Sequence, residues 1–295
     1  VYAERFEVNY WAAIRSNTSF IPTIDDHEVS NDFAGGAPPS YDPRFADYEG
    51  EFVNDTELYQ NGLQAFHEYN PVHDLVWEDT DNALTDGKPN LYRYFTYGSD
   101  AAVFVLDNRS FRNAPLEPVN DLEDMGQILT FLAEAFDDSR TMLGSPQLNA
   151  LTRDLMQAHE DGLTWKFVMM PEPIQNLGFA IAQDRFEGYA AERSALLKFI
   201  ADNEIKNVVF IAADIHGTIV NDITYQVGPF GEQLPTDSWE ISTGPVAFDA
   251  PFAPTVADLA NSLGLLTPEQ FDFYVNGSDE DKEDFITGLI NAQVE

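Results

Sequence analysis

The chain has 295 residues with Lys+Arg 15 against Asp+Glu 51, a net charge of -36 and a pI near 4.1, so its surface repels nucleic acid and anionic membranes and no duplex-binding role is expected. It contains no cysteine, which excludes disulfides, zinc-thiolate sites and cysteine nucleophiles. Apolar residues make up 44% of the chain, enough for a sizeable core, and no apolar run approaches the roughly 18 to 20 residues of a membrane span. The charge suits a protein working in high salt, where self-repulsion is screened, and equally an acidic secreted protein in calcium-rich water.

Residues 3–16 carry Phe6, Tyr10, Trp11 and Ile14 at helical spacing, which predicts a helix packed on a core. Phe20 to Ile24 reads as a short apolar strand that stops on Asp25-Asp26-His27-Glu28. Adjacent carboxylates repel each other unless a cation sits among them, and a multivalent metal is the economical one. The plain alternative is an Asp-rich helix cap. Residues 33–55 turn to Gly, Pro, Asp and Tyr around Gly35-Gly36-Ala37-Pro38-Pro39, a long loop suited to wall a site. A helix is predicted over 55–69, closed by Pro71; Asn61 lies on it and gains no functional weight from its local pattern.

Two strands are predicted over 91–98 and 101–107, the second ending on Asp107-Asn108-Arg109-Ser110-Phe111-Arg112. Guanidinium groups on such a strand end can grip phosphate oxygens with paired donors, or can pair with nearby carboxylates. Helices follow over 127–136 and 145–159, a strand over 164–170, an irregular loop over 175–190 and a helix over 190–202. The next run, Asn207 to Ala213, stops on Asp214-Ile215-His216. In an extended chain, residues two apart share a face, so Asp214 and His216 are expected to project together from the strand's C-terminal end, where open α/β sheets bind ligands. A loop start is the plain reading of that pair. Two more strands are predicted over 222–227 and 239–243, and the segment from Thr255 to Glu295 reads as helical and acidic.

Asp25-Asp26-His27-Glu28-Val29-Ser30-Asn31-Asp32 resembles the signature of the PhoD-like alkaline phosphatases, a branch of the metallophosphoesterase superfamily. The likeness continues in order through Leu106 to Arg112, Leu143-Gly144-Ser145-Pro146-Gln147, Trp165-Lys166, Gly188 to Arg193, and Ala213-Asp214-Ile215-His216. What the resemblance implies is a four-layer α/β/β/α sandwich with metals at the strand ends, formed by residues 1–248, followed by an acidic helical tail over 249–295. It implies an exported protein, extracellular or periplasmic, that hydrolyses small phosphate mono- or diesters with iron and calcium. Asp26 would be a metal ligand and His27 would contact the phosphate or protonate the leaving oxygen. Asn61 and Asp214 would ligate calcium, His216 would ligate iron, and Arg109 would contact phosphate.

The sequence departs from the family pattern in three places. An Asp on an opening strand and a Gly-Asp-x-x-Tyr, which precede the Asp-Asp-His-Glu stretch in the family, are not found. Ala213 stands in place of a Gly, and Phe186-Glu187 in place of a Trp-Asp. The chain is therefore expected to be part of a longer enzyme, with an iron site completed by an upstream segment or a second chain. The alternative is a non-catalytic, calcium-binding acidic surface protein that keeps the fold.

Overall fold

The computed structural model describes residues 10–179, 182–244, 252–262 and 264–294. Among them, six strands form one mixed sheet: β1 (Arg93–Tyr97), β2 (Ala101–Val105), β3 (Trp165–Met169), β4 (Val208–Ala212), β5 (Ile219–Tyr225) and β6 (Leu234–Ser242), in the spatial order β1-β2-β3-β4-β6-β5. Strands β2, β3, β4 and β6 are parallel, and the two edges, β1 and β5, are antiparallel to their neighbours. The central strands Ala-Ala-Val-Phe-Val and Val-Val-Phe-Ile-Ala are continuous apolar runs, as strands covered on both sides require. In β6, buried and exposed residues alternate instead, the pattern of a strand with one solvated face.

The helices are α1 (Tyr10–Arg15), α2 (Glu57–Tyr69), α3 (Met125–Ala135), α4 (Ser145–Glu160), α5 (Ala190–Asp202), α6 (Phe252–Ser262), α7 (Pro268–Asn276) and α8 (Asp279–Val294). Thr56 opens α2 by accepting from Tyr59 N at 3.3 Å, and Asp124 opens α3 by accepting from the N–H groups of Gly126 and Gln127. Helices α4 and α5 cover one face of the sheet. Their Leu151, Leu155, Leu196, Leu197 and Ile200 pack with Phe104, Val168 and Phe210 in the main core, each such burial contributing roughly 1.5–3 kcal/mol. A second core, with Ile24, Phe33, Tyr59, Leu63 and Phe66, holds α2 against the long loop.

The helical layer and sheet of the expected α/β architecture are both present. A second sheet does not occur among the described residues, and the face away from α4 and α5 is apolar. Strand register puts Phe95, Val103, Phe167, Val209 and Trp239 in one row across it.

The segment before Asp25 is not a strand. It carries Pro22, which has no N–H for a ladder, and it is tied by side chains instead: Thr23 Oγ1 donates to Leu106 O at 2.7 Å and Arg93 donates to Pro22 O. Helices α6 to α8 bear out the helical tail, packed on one another through Ala257, Tyr274 and Ile286. The expected boundary at 248/249, and the start of the helix expected over 3–16, lie outside the described residues.

Candidate functional site

The parallel strands β2, β3 and β4 end on one edge of the sheet, and the chain after each delivers charged side chains to it. Arg109 is 1% exposed and lies among three carboxylates. Its Nε is 2.6 Å from Asp25 Oδ1, and its Nη2 is 2.8 Å from Glu172 Oε1 and 3.4 Å from Asp214 Oδ1. Arg112, fully buried, pairs with the same Glu172 oxygen at 2.5 Å and donates to the carbonyl groups of Asp32, Phe33 and Asp184. The loop that carries both arginines is fixed from below. Asp107 Oδ1 accepts the N–H groups of Arg109 and Ser110 at 2.9 Å, and Gln147 of α4 bonds both the N–H and the carbonyl of Asp107.

A second wall comes from the Asp26–Glu28 turn. Asp26 accepts from His27 N at 2.8 Å and from Asp32 N at 2.9 Å, so both its oxygens are oriented by backbone. Glu28 Oε2 accepts from Asp25 N at 2.8 Å. Helix α2 presses on this turn at Gly62, where a Cβ would collide with Glu28 O. The Gly35-Gly36 pair, a chain breaker by sequence, has a positional reason as well: Gly35 N and Gly36 N donate to Arg109 O and Arg112 O, and a Cβ on Gly35 would overlap Ser110 O.

The third wall differs from the sequence expectation. Strand β4 stops at Ala212, Ile215 N turns back to Ala213 O at 2.8 Å, and Asp214 and His216 adopt left-handed backbone with φ of 64° and 58°. Non-glycine residues rarely adopt that region, at a cost on the order of 1–3 kcal/mol, and such residues concentrate at functional sites. Asp214 and His216 therefore do not alternate along an extended strand. The turn sends the Asp214 carboxylate to Arg109 and leaves His216 exposed.

The structure thus brings Asp26, Arg109 and Asp214 to one place, with Asp26 near enough to act electrostatically on both others. His27 stands at the rim, its side chain 78% exposed and its Nε2 3.8 Å from Asp26 Oδ2. Asn61 is exposed on α2, and its side chain makes no hydrogen bond among the described residues. Arg109 is engaged through Nε and Nη2, while its buried Nη1 has no hydrogen-bond partner.

Asp25 and Glu172 were not singled out by sequence reasoning as members of the cluster. Asp25 is one residue from Asp26, but its orientation toward Arg109 is set by the turn. Glu172 follows β3 between Pro171 and Pro173, a charged residue at the end of an apolar strand, which is the signal that marks Asp214.

Carboxylates outnumber cations here. Burial pushes the Glu172 carboxyl up to about 8 while Arg109 and Arg112 pull it down. Asp32 and Asp214 are raised too, first by burial, then by Asp184 in one case and Asp25 in the other. Such crowded oxygen donors suit a hard cation chemically. The arrangement does not: among the described residues no three His, Asp or Glu side chains stand together in a way that could hold a metal ion. The guanidinium of Arg109 draws Asp25, Glu172 and Asp214 to itself instead. As described, these residues do not fit a metal by themselves.

A profile described as PhoD-like phosphatase matches residues 2–267, nine-tenths of the chain. The chain belongs to the PhoD-like phosphatase family. The match spans all the residues placed above, from Asp25 to His216. Alkaline phosphatase D of Bacillus subtilis (strain 168) is 28% identical over 220 residues, 69% of this chain and 32% of that protein. A solved structure titled "Structure of PhoD" superposes with a TM-score of 0.52 at 23% identity, covering 75% of this chain and 39% of that one, and so shares the fold. The PhoD-like chain described here spans about a third of the length of the curated relative it matches.

Proposed function

We propose that this PhoD-like chain supplies part of the site of a hydrolase acting on small, exposed phosphate mono- or diesters. The observation that supports this reading is the meeting of Asp25, Asp26 and Asp214 with Arg109 at the strand ends. Arg109 Nη1 has no hydrogen-bond partner but is shut off from solvent, so it serves a phosphate oxygen only when the carboxylates of Asp25, Glu172 and Asp214 around Arg109 give way to the substrate. His27 at the rim is the group that contacts the phosphate or gives a proton to the leaving oxygen.

An anionic ester entering this cluster meets more negative than positive charge, so binding calls for added cations. The proposal therefore includes metal dependence, on calcium and iron. Asp26, Asn61, Asp214 and His216 would take part in holding them only with further ligands, from an upstream segment or a second chain. It includes export to the periplasm or cell exterior as well. Among the described residues, no helix is long and apolar enough to cross a membrane.

The test is release of nitrophenol from nitrophenyl phosphate and from its diester by the complete protein, with calcium and with a chelator. Activity is expected to need calcium and to be abolished by Asp214→Ala or His216→Ala; full activity in either variant sinks the assignment. The excess of 51 acidic over 15 basic side chains supports one second reading, a calcium-binding acidic surface protein without catalysis. Calorimetry showing calcium binding with no hydrolysis, even with an upstream segment restored, would select it.

A further inference from the structure

Helix α2 meets the site at two points. At Gly62 its backbone rests against Glu28 O, on the turn that carries Asp26 and His27. At Tyr59 its side chain reaches the other wall: the Tyr59 and Ser110 hydroxyl oxygens share a hydrogen bond at 2.7 Å, across 51 positions of the chain. Positions i and i+3 lie on one face of a helix, so a single face of α2 touches both walls. Tyr59 and Ser110 are both 0% exposed, and the contact between them is closed by this chain itself.

Ser110 follows Arg109, and each of its polar groups is held. Its N–H donates to Asp107 Oδ1 at 2.9 Å, its carbonyl accepts from Asn54 Nδ2 at 2.9 Å, and its hydroxyl meets Tyr59. The main chain of Arg109 is tied on both sides as well, its N–H to Asp107 Oδ1 and its carbonyl to Gly35 N. Gly35 and Asn54 lie on the long loop and bond each other, Asn54 N donating to Gly35 O at 2.9 Å. Tyr59 differs because it stands on a helix. Its ring packs edge-on against Phe33 with centroids 6.0 Å apart, which fixes where the hydroxyl points. Burial, and after it the Asp107 charge, push the Tyr59 hydroxyl up, so it keeps its proton.

We propose that Tyr59 is a positioning residue for the phosphate contact: through Ser110 it sets Arg109 at a fixed place relative to the Asp26–His27 turn, with α2 as the spacer. A buried hydroxyl pair specifies one arrangement, because breaking it leaves an unpaired polar group in the interior. This inference rests on the reading of Arg109 as a phosphate contact. Arg109 would meet a non-bridging oxygen in the bound ester and in the transition state alike, so its displacement weakens both equally. The expected signature is a raised KM with little change in kcat.

Tyr59→Phe, Ser110→Ala and the double variant of the complete protein test it, by nitrophenyl phosphate kinetics and by hydrogen exchange of the amides of residues 107–112. Tyr59→Phe keeps the ring and removes the bond. Each single variant should raise KM about three- to tenfold with kcat within about twofold, and the double variant no further than the larger single, because the same bond is lost in all three. Exchange at Arg109 and Ser110 should quicken in the same variants. Thr236→Val deletes another buried hydroxyl bond, from Thr236 Oγ1 to Ile223 O at 2.7 Å between β6 and β5, and should leave both KM and the exchange of 107–112 unchanged. Additive effects on KM, or a KM shift no larger than that of Thr236→Val, overturn the proposal. Unchanged exchange in Tyr59→Phe overturns it whatever the activity. If the parent hydrolyses nothing, the reading of the site fails, and exchange alone decides whether Tyr59 holds the Arg109 loop.

Discussion

Glu172 Oε1 lies 2.8 Å from Arg109 Nη2 and 2.5 Å from Arg112 Nη1, all three side chains essentially without solvent contact. One carboxylate thus ties together two guanidinium groups from the β2 end. Removing one partner of a buried pair leaves charge uncompensated, at a cost of about 3–5 kcal/mol. At pH 9, above the value of about 8 to which burial raises its carboxyl, Glu172→Ala should lose about that much in urea denaturation, and Glu172→Gln, which keeps the volume and one acceptor oxygen, about half. An alanine variant as stable as the parent would show that the two arginines hold their places without this bridge.

Gly62 predicts an effect opposite to helix propensity. In an exposed helix interior, Gly→Ala stabilises by about 1 kcal/mol. At Gly62 the added Cβ meets Glu28 O and Val29, so α2 has to move off the turn that carries Asp26 and His27. Gly62→Ala is expected to destabilise by about 1–3 kcal/mol. Gly288 of α8 is the control: nothing lies within 4 Å of its would-be Cβ, and Gly288→Ala should be neutral or mildly stabilising. Equal responses at both positions in thermal melts would remove the close helix–turn contact from the account.

These two sites also show what the sequence made legible and what it did not. The central strands stood out because β2 and β4 are unbroken apolar runs, and their polar ends pointed to the right edge of the sheet. The direction of each polar residue did not follow from the pattern. Asp214 reaches Arg109 because its backbone is left-handed, a conformation that favours glycine and that no periodicity announces. Glu172 was passed over because one acidic residue between two prolines looks like a loop until β3 is known to lie between β2 and β4. Phe20 to Ile24 has the composition of a strand, but Pro22 and side-chain bonds to Pro22 O and Leu106 O replaced a ladder.

Glu240 on β6 gives a pH signature. Its carboxylate is buried, accepts from Ile174 N at 2.6 Å, Gln175 N at 3.1 Å and Ser242 Oγ at 2.9 Å, and has its pKa raised, by burial above all. A carboxyl with a raised folded pKa contributes stability that is fully present below the unfolded value near about 4.3 and is lost as pH rises through the folded value. Glutamine carries no charge at any pH and can satisfy the same three partners, its amide donating to a re-oriented Ser242 hydroxyl. Glu240→Gln should therefore melt above the parent at pH 8, with the gap closing toward pH 4. A variant that melts lower at pH 8 would mean that hydrogen bonds to the charged form outweigh its burial.

Stability should also follow salt through the net charge of -36 rather than through surface ion pairs. Exposed pairs such as Lys198–Asp202 at 2.5 Å and Lys206–Asp237 at 2.6 Å contribute little and weaken as salt screens them. The self-repulsion of 51 acidic against 15 basic side chains acts the other way, destabilising the compact state until salt screens it. Repulsion wins on number, because the few cations are committed: Arg109, Arg112 and Arg193 are buried with their partners. The urea midpoint should rise steadily from about 0.1 M to 1 M sodium chloride. A midpoint that falls over this range would place surface pairing above net charge in holding the fold.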